Sequence, residues 1–115
     1  MISGPDQPLV LRTTDARGVV TLTLNRPAAF NALSEGMLAA LQAELDALAR
    51  DDTARVVVIA ASGKAFCAGH DLKEMRAAPS LAYYETLFAH CAQLMLAVQR
   101  LAVPVIARVQ GIATA

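Results

Sequence analysis

The stretch Phe66-Cys67-Ala68-Gly69-His70-Asp71-Leu72 gathers the residues best able to do chemistry. Asp71 has the type and place of a helix N-cap, so the amides around His70 and Leu72 fall at a helix start. Such N–H groups lack intrahelical acceptors and can hold an oxygen as it becomes negative. Ala68 and Gly69 let a ligand come close to the backbone. The same residues equally describe a strand-to-helix connection with a cap and nothing more. Cys67 and His70 look like half of a metal site, but His90 and Cys91 lack the spacing for the other half of a closed zinc site, and no metal is expected. His70-Asp71 as a base pair, or Cys67 as a nucleophile, lacks a third member. Neither a GxGxxG nor a P-loop lysine motif occurs. Lys73, Glu74 and Arg76 read as a solvated helix face, although a cation there could meet a ligand phosphate.

These residues need elements to hold them. Leu9 to Thr13 reads as a short strand. The turn signal Asp15-Ala16-Arg17-Gly18 follows, and Val19 to Leu24 then alternates, which predicts a β-hairpin with one half-exposed face. Pro27 ends it. Ser34 is a good N-cap, and Leu38, Leu41, Leu45 and Leu48 fall on one helical face. Arg55 to Ala60 carries a short apolar run, expected to be a buried parallel strand. Ser62-Gly63-Lys64 is a loop. Pro79-Ser80 starts a second long helix whose stripe of Leu81, Tyr84, Phe88, Cys91, Met95, Val98 and Leu101 reads as core. Pro104 stops it, and Val105 to Val109 is a further strand. The order implies α/β layers with right-handed crossovers.

The chain has 115 residues, 56% of them hydrophobic and 17% charged. That excludes a disordered chain. Ten Lys+Arg balance ten Asp+Glu. Without net positive charge or a basic run, nucleic-acid binding by phosphate neutralisation is not expected. Much of the apolar share is alanine, which buries little area, and a chain this short leaves much surface exposed. The surplus therefore calls for a covering surface, either another subunit or a missing part of the same fold. Two cysteines, Cys67 and Cys91, make no disulfide framework and suggest a reducing compartment. The first eight residues read as a flexible tail without the features of a secretory signal. No run approaches the ~18 apolar residues of a membrane span. A cytoplasmic location is the expectation.

Three segments in register resemble one family. Val19 to Leu33 (VVTLTLNRPAAFNAL) is similar to the opening of the enoyl-CoA hydratase/isomerase, or crotonase, superfamily. Arg55 to Met75, with GKAFCAGHDLKEM at its centre, resembles the acyl-CoA-binding segment of that family. Val103-Pro104-Val105-Ile106-Ala107, followed by Gly111, resembles the strand leading to the second half of the site. A finer resemblance, carried by AGHDLKE and GIATA, is to the branch called enoyl-CoA hydratase domain-containing protein 3, in which one glutamate position is commonly not glutamate.

The resemblance implies an α/β fold: the N-terminal part of the crotonase ββα spiral, truncated before the second half of the active site, with residues 9–115 as a partial domain. It implies an acyl-CoA thioester as partner, no separate cofactor because coenzyme A is part of the substrate, and a homo-oligomer (trimer or hexamer) for the parent protein. In the family two backbone N–H groups stabilise a thioester enolate, and losing one such donor typically costs ~3 kcal/mol. The first maps to His70, whose imidazole departs from the Ala of many relatives and would narrow the pocket or add polarity. Ala68 would line the coenzyme A end, with Gly69, Asp71, Leu72 and Lys73 continuing the ligand-facing turn. Ala28, Ala29 and Phe30 match a second coenzyme A loop. Ala28 stands where relatives often carry Lys, which removes a phosphate contact. The second oxyanion donor and the acid/base glutamates are expected beyond Ala115. Glu35, Glu44, Glu74 and Glu85 match none of those positions, so the 115 residues are expected to be catalytically incompetent. A non-catalytic CoA-ester-binding or interaction module lacking the acid/base glutamates is the alternative.

Overall fold

A computed structural model describes residues 7–114. Most of the expected tail, residues 1–6, therefore lies outside the described residues. Strand β1 (Val10–Thr14) pairs antiparallel with β2 (Val19–Leu24), which forms the expected hairpin. Its turn is held by Asp15, whose carboxylate accepts from the amides of Arg17 and Val19. Along β2, Val20, Leu22 and Leu24 are buried while the residues between them are half-buried, as the alternation requires.

Helix α1 (Glu35–Leu48) starts at Ser34, whose hydroxyl accepts from the Met37 amide at 3.1 Å. Leu38, Leu41, Leu45 and Leu48 are all buried, joined by Met37. This helix carries the chain from β2 to β3 (Val56–Ala61), which pairs parallel with β2 in the register Val20↔Val57 and Leu22↔Ile59. The strand is parallel as expected but less buried: only Val57 and Ala60 are buried, and Val56, Val58, Ile59 and Ala61 are half-buried.

Two pieces went unread in the sequence. Strand β4 (Ala65–Cys67) pairs parallel with β6 (Ile112–Ala113) in a separate two-stranded sheet. Both are too short to show a period. The six-residue helix α2 (Leu72–Ala77) follows β4, and α3 (Leu81–Arg100) starts at Ser80 as expected. Strand β5 (Val105–Ala107) then adds parallel to β3, giving the order β1-β2-β3-β5. It is shorter than expected, and Val109 lies outside it, exposed.

The expected stripe from Leu81 to Leu101 is core at Cys91, Val98 and Leu101 but not at three of its other positions. Leu81, Phe88 and Met95 are exposed, whereas Leu87 and Leu94 are buried and Cys91 and Val98 pack against the core. Apolar residues cover a wide arc of this helix, so two overlapping stripes satisfy the same spacing. Packing against α1 and the sheet selects the one through Leu87 and Leu94.

Candidate functional site

The turn after β4 and the loop between β2 and α1 that packs on it are built on backbone geometry that few residues tolerate. Phe30 and Asn31 are consecutive non-glycine residues with positive φ, 53° and 55°, and Gly69 has φ 86°. A bulky residue such as Phe30 pays for that conformation in steric strain, so something must hold it there. Asn31 does so. It is fully buried; its Oδ1 accepts from the Arg26 amide at 2.8 Å, and its Nδ2 donates to the carbonyls of Ser62 (2.8 Å) and Ala65 (2.9 Å). One side chain thus fixes the 26–31 loop to the segment entering β4. Gln110 ties the chain after Ala107 to the same segment, donating from Nε2 to the carbonyls of Ala61, Gly63 and Ala65.

With the two segments joined, the Ala68 amide donates to the Phe30 carbonyl at 3.0 Å. Leu33 and His70 form an isolated parallel bridge: the Leu33 amide donates to the Gly69 carbonyl at 2.7 Å and the Asp71 amide to the Leu33 carbonyl at 3.4 Å. In a parallel bridge the neighbours of the central residue make the bonds, and that residue's own N–H and C=O point away from the partner strand. The His70 amide therefore faces away from Leu33, and it donates to no acceptor among the described residues. This is the arrangement expected of an amide kept for an external oxygen.

Asp71 caps α2 as the sequence suggested. Its Oδ1 accepts from the Glu74 amide at 3.1 Å. Its Oδ2 accepts from Arg26 Nη1 at 2.8 Å. The Arg26 guanidinium, and after it the Glu74 amide, hold the Asp71 carboxyl below its ordinary value. Asp71 is thus committed to structure at the turn, and His70-Asp71 is not a base pair. Cys67 is buried, and its Sγ accepts from the Gly69 amide at 3.4 Å. Burial first, and the neighbouring Cys67 second, push the Cys91 thiol up. Among the described residues no group of three His, Cys, Asp or Glu could hold a metal ion.

The structure therefore brings the two anticipated segments together. Ala28 and Ala29 lie in a 3-10 turn, Pro27–Ala29, with Phe30 exposed at its end. Gly69 is buried, Ala68, His70 and Asp71 are half-buried, and Leu72 and Lys73 are exposed on the first turn of α2. Four residues that hold or flank the site are not marked as site residues by the sequence: Arg26, Asn31, Phe88 and Gln110. Only Asn31 left a signal, as an asparagine beside a Pro-containing turn. The His70 ring meets Phe88 edge-on, with centroids 5.0 Å apart and planes at 78°. An apolar cavity of about 220 Å³ adjoins the turn through Leu33 and Cys67 and extends between the main sheet and α3 past Phe66, Leu94 and Met95.

Residues 14–115 match the sequence model of the family described as Enoyl-CoA hydratase/isomerase, and the chain belongs to that family. Among curated relatives, enoyl-CoA hydratase domain-containing protein 3, mitochondrial, of Rattus norvegicus is 34% identical over 98% of this chain and 38% of its own length. A crystal structure of an enoyl-CoA hydratase from Mycobacterium smegmatis aligns with a TM-score of 0.88 at 70% identity, covering 90% of this chain and 40% of that one. The crystal structure of human enoyl-Coenzyme A hydratase domain-containing protein 3 aligns with a TM-score of 0.83 at 32% identity, over 91% of this chain and 41% of that one. The chain thus spans about two fifths of the length of the relatives it matches, and its fold is an N-terminal part of the crotonase fold.

Proposed function

We propose that this chain is the acyl-CoA-binding portion of an enoyl-CoA hydratase/isomerase-type enzyme, and that the full protein hydrates 2-enoyl-CoA. The His70 backbone N–H is one donor of the oxyanion hole. A thioester oxygen accepts from it, and the bond strengthens as charge moves onto that oxygen in the enolate. A fixed donor stabilises that charge without reorganising, which lowers the barrier. Ala28, Ala29, Phe30, Ala68, Gly69, Asp71, Leu72 and Lys73 form the surrounding substrate-binding turn, and the adjoining apolar cavity suits an alkyl chain. The single observation that carries this reading is the His70 amide, turned away from Leu33 with no acceptor among the described residues.

A second reading, a CoA-ester binder without catalysis, gains support from the glutamates. Glu44 pairs with Arg12, and Glu74 accepts from the Glu35 amide, so both are occupied structurally. A general acid or base must be free to reach the transferred proton. We therefore expect these 115 residues to bind crotonyl-CoA without hydrating it. Isothermal titration together with loss of enoyl absorbance tests both halves. No heat at millimolar crotonyl-CoA overturns the binding reading, and turnover overturns the division of labour.

The exposed apolar side chains of Met95, Ile106, Val109 and Ile112 call for a cover, either another subunit or the rest of the fold, and we read the parent as a homo-oligomer, trimer or hexamer. No helix among the described residues is long and apolar enough to cross a membrane. The two free thiols suit a reducing cytoplasm, where we place the protein, although the rat relative is named as mitochondrial.

A further inference from the structure

We propose that the imidazole of His70, separately from its backbone amide, selects among acyl-CoA esters by hydrogen-bonding an oxygen substituent on the acyl group close to the thioester. The inference rests on the reading of the His70 amide as the carbonyl donor, and adds a specificity-determining role for the side chain. The edge-on contact with Phe88 fixes the plane of the ring. Within that plane the two nitrogens differ. Nδ1 is buried and has no partner among the described residues. Nε2 neither makes a hydrogen bond nor is buried, so it is the nitrogen offered outward.

Leu33, Leu72 and Phe88 are apolar. Two polar side chains of the neighbouring helices are engaged elsewhere: the Tyr84 hydroxyl donates to the Met75 carbonyl, and the Asp71 carboxylate is taken by Arg26 and the Glu74 amide. A phenylalanine could fill the same place without leaving a buried nitrogen unpaired, so packing does not account for the histidine. The side chain and the amide belong to one residue. On this proposal, an ester whose carbonyl oxygen sits on the amide carries its α or β substituent past Nε2. A neutral imidazole can donate to an oxygen or accept from a hydroxyl. A plain alkyl group would strip water from Nε2 and return nothing, which is how a polar site rejects an apolar analogue.

The test titrates the 115-residue chain with 3-hydroxybutyryl-CoA and with butyryl-CoA, by calorimetry and by ¹⁵N resonances of the His70 amide and imidazole. The hydroxy ester is expected to bind about five- to tenfold more tightly, the worth of one hydrogen bond. It should shift Nε2, while both esters shift the amide. His70→Phe, which keeps the backbone donor and an aromatic ring against Phe88, should bring the ratio of the two dissociation constants to about one. His70→Gln, which restores a polar group, should recover part of it. Equal affinities in the wild type, a ratio that survives His70→Phe, or an imidazole that stays still while the amide moves would each overturn the selection role and leave the amide reading intact. If neither ester moves the amide, both fall together.

Discussion

Replacing Asn31 by alanine should damage the site more than any exposed substitution around it. The side chain is fully buried and makes three hydrogen bonds to backbone groups, each at 2.8–2.9 Å. At about 1 kcal/mol net per bond, their loss removes about 3 kcal/mol. The Ala65 carbonyl keeps Gln110 as a donor, so the stranded groups are the Arg26 amide and the Ser62 carbonyl. Position 31 also has φ 55°, which alanine adopts at a cost of about 1 kcal/mol beyond asparagine. The expected loss is thus about 4 kcal/mol, a large share of the ~5–15 kcal/mol that stabilises a typical domain. Urea unfolding followed by far-UV circular dichroism measures it. Asn31→Gly keeps the left-handed backbone without strain and should be destabilised by about 0.5–1 kcal/mol less, after its own entropic cost. Asn31→Asp, nearly the same shape, should be at least as harmful as alanine because it turns an acceptor toward two carbonyls. A change below about 1 kcal/mol for Asn31→Ala, or a neutral Asn31→Asp, would refute the claim that this residue holds the turn.

Further outcomes follow from the same geometry. Asp71→Asn keeps a capping oxygen but loses the charged partner of Arg26, and should cost about 1–2 kcal/mol at pH 7 by chemical denaturation. Because the folded-state carboxyl lies below its unfolded value, this contribution is complete above about pH 4 and fades as pH falls through the lower folded value; the gap between variant and wild type should close in acid. A gap that persists at acid pH would assign the loss to packing. At Gly111 a Cβ would collide with the Lys64 carbonyl, so Gly111→Ala should separate β6 from β4, seen as lost amide protection at Thr114, whose N–H donates to the Cys67 carbonyl. Cys91, its thiol pushed up by burial, should alkylate more slowly at neutral pH than a free cysteine peptide, as followed by mass spectrometry; equal rates would contradict its packing.

Local signals were legible where a residue's type and its partner lay within a few positions. Ser34 and Asp71 were readable as caps because each accepts from an amide three residues on. The Leu38–Leu48 face was readable because its period matches one helix packed on one side. The phase of α3 was not, since apolar residues offer two stripes and only the neighbouring elements choose between Phe88 and Leu87. Segments as short as β4 and β6 carry no period. The site itself divided in the same way. The sequence pointed to His70 through a resemblance, and to the turn through small residues and a cap. It could not show that Asn31 crosses to Ser62 and Ala65, that Arg26 reaches Asp71, or that Phe88 backs the imidazole, because those partners are brought together only by the fold.

The most direct measurement is the amide resonance of His70 in uniformly ¹⁵N-labelled chain, titrated with crotonyl-CoA and in parallel with free coenzyme A. If that N–H receives a thioester oxygen, its proton moves downfield with the ester in a saturable way and hardly responds to coenzyme A, which has no carbonyl to offer at that point. An amide that ignores the bound ester, or that responds equally to both ligands, would contradict the account.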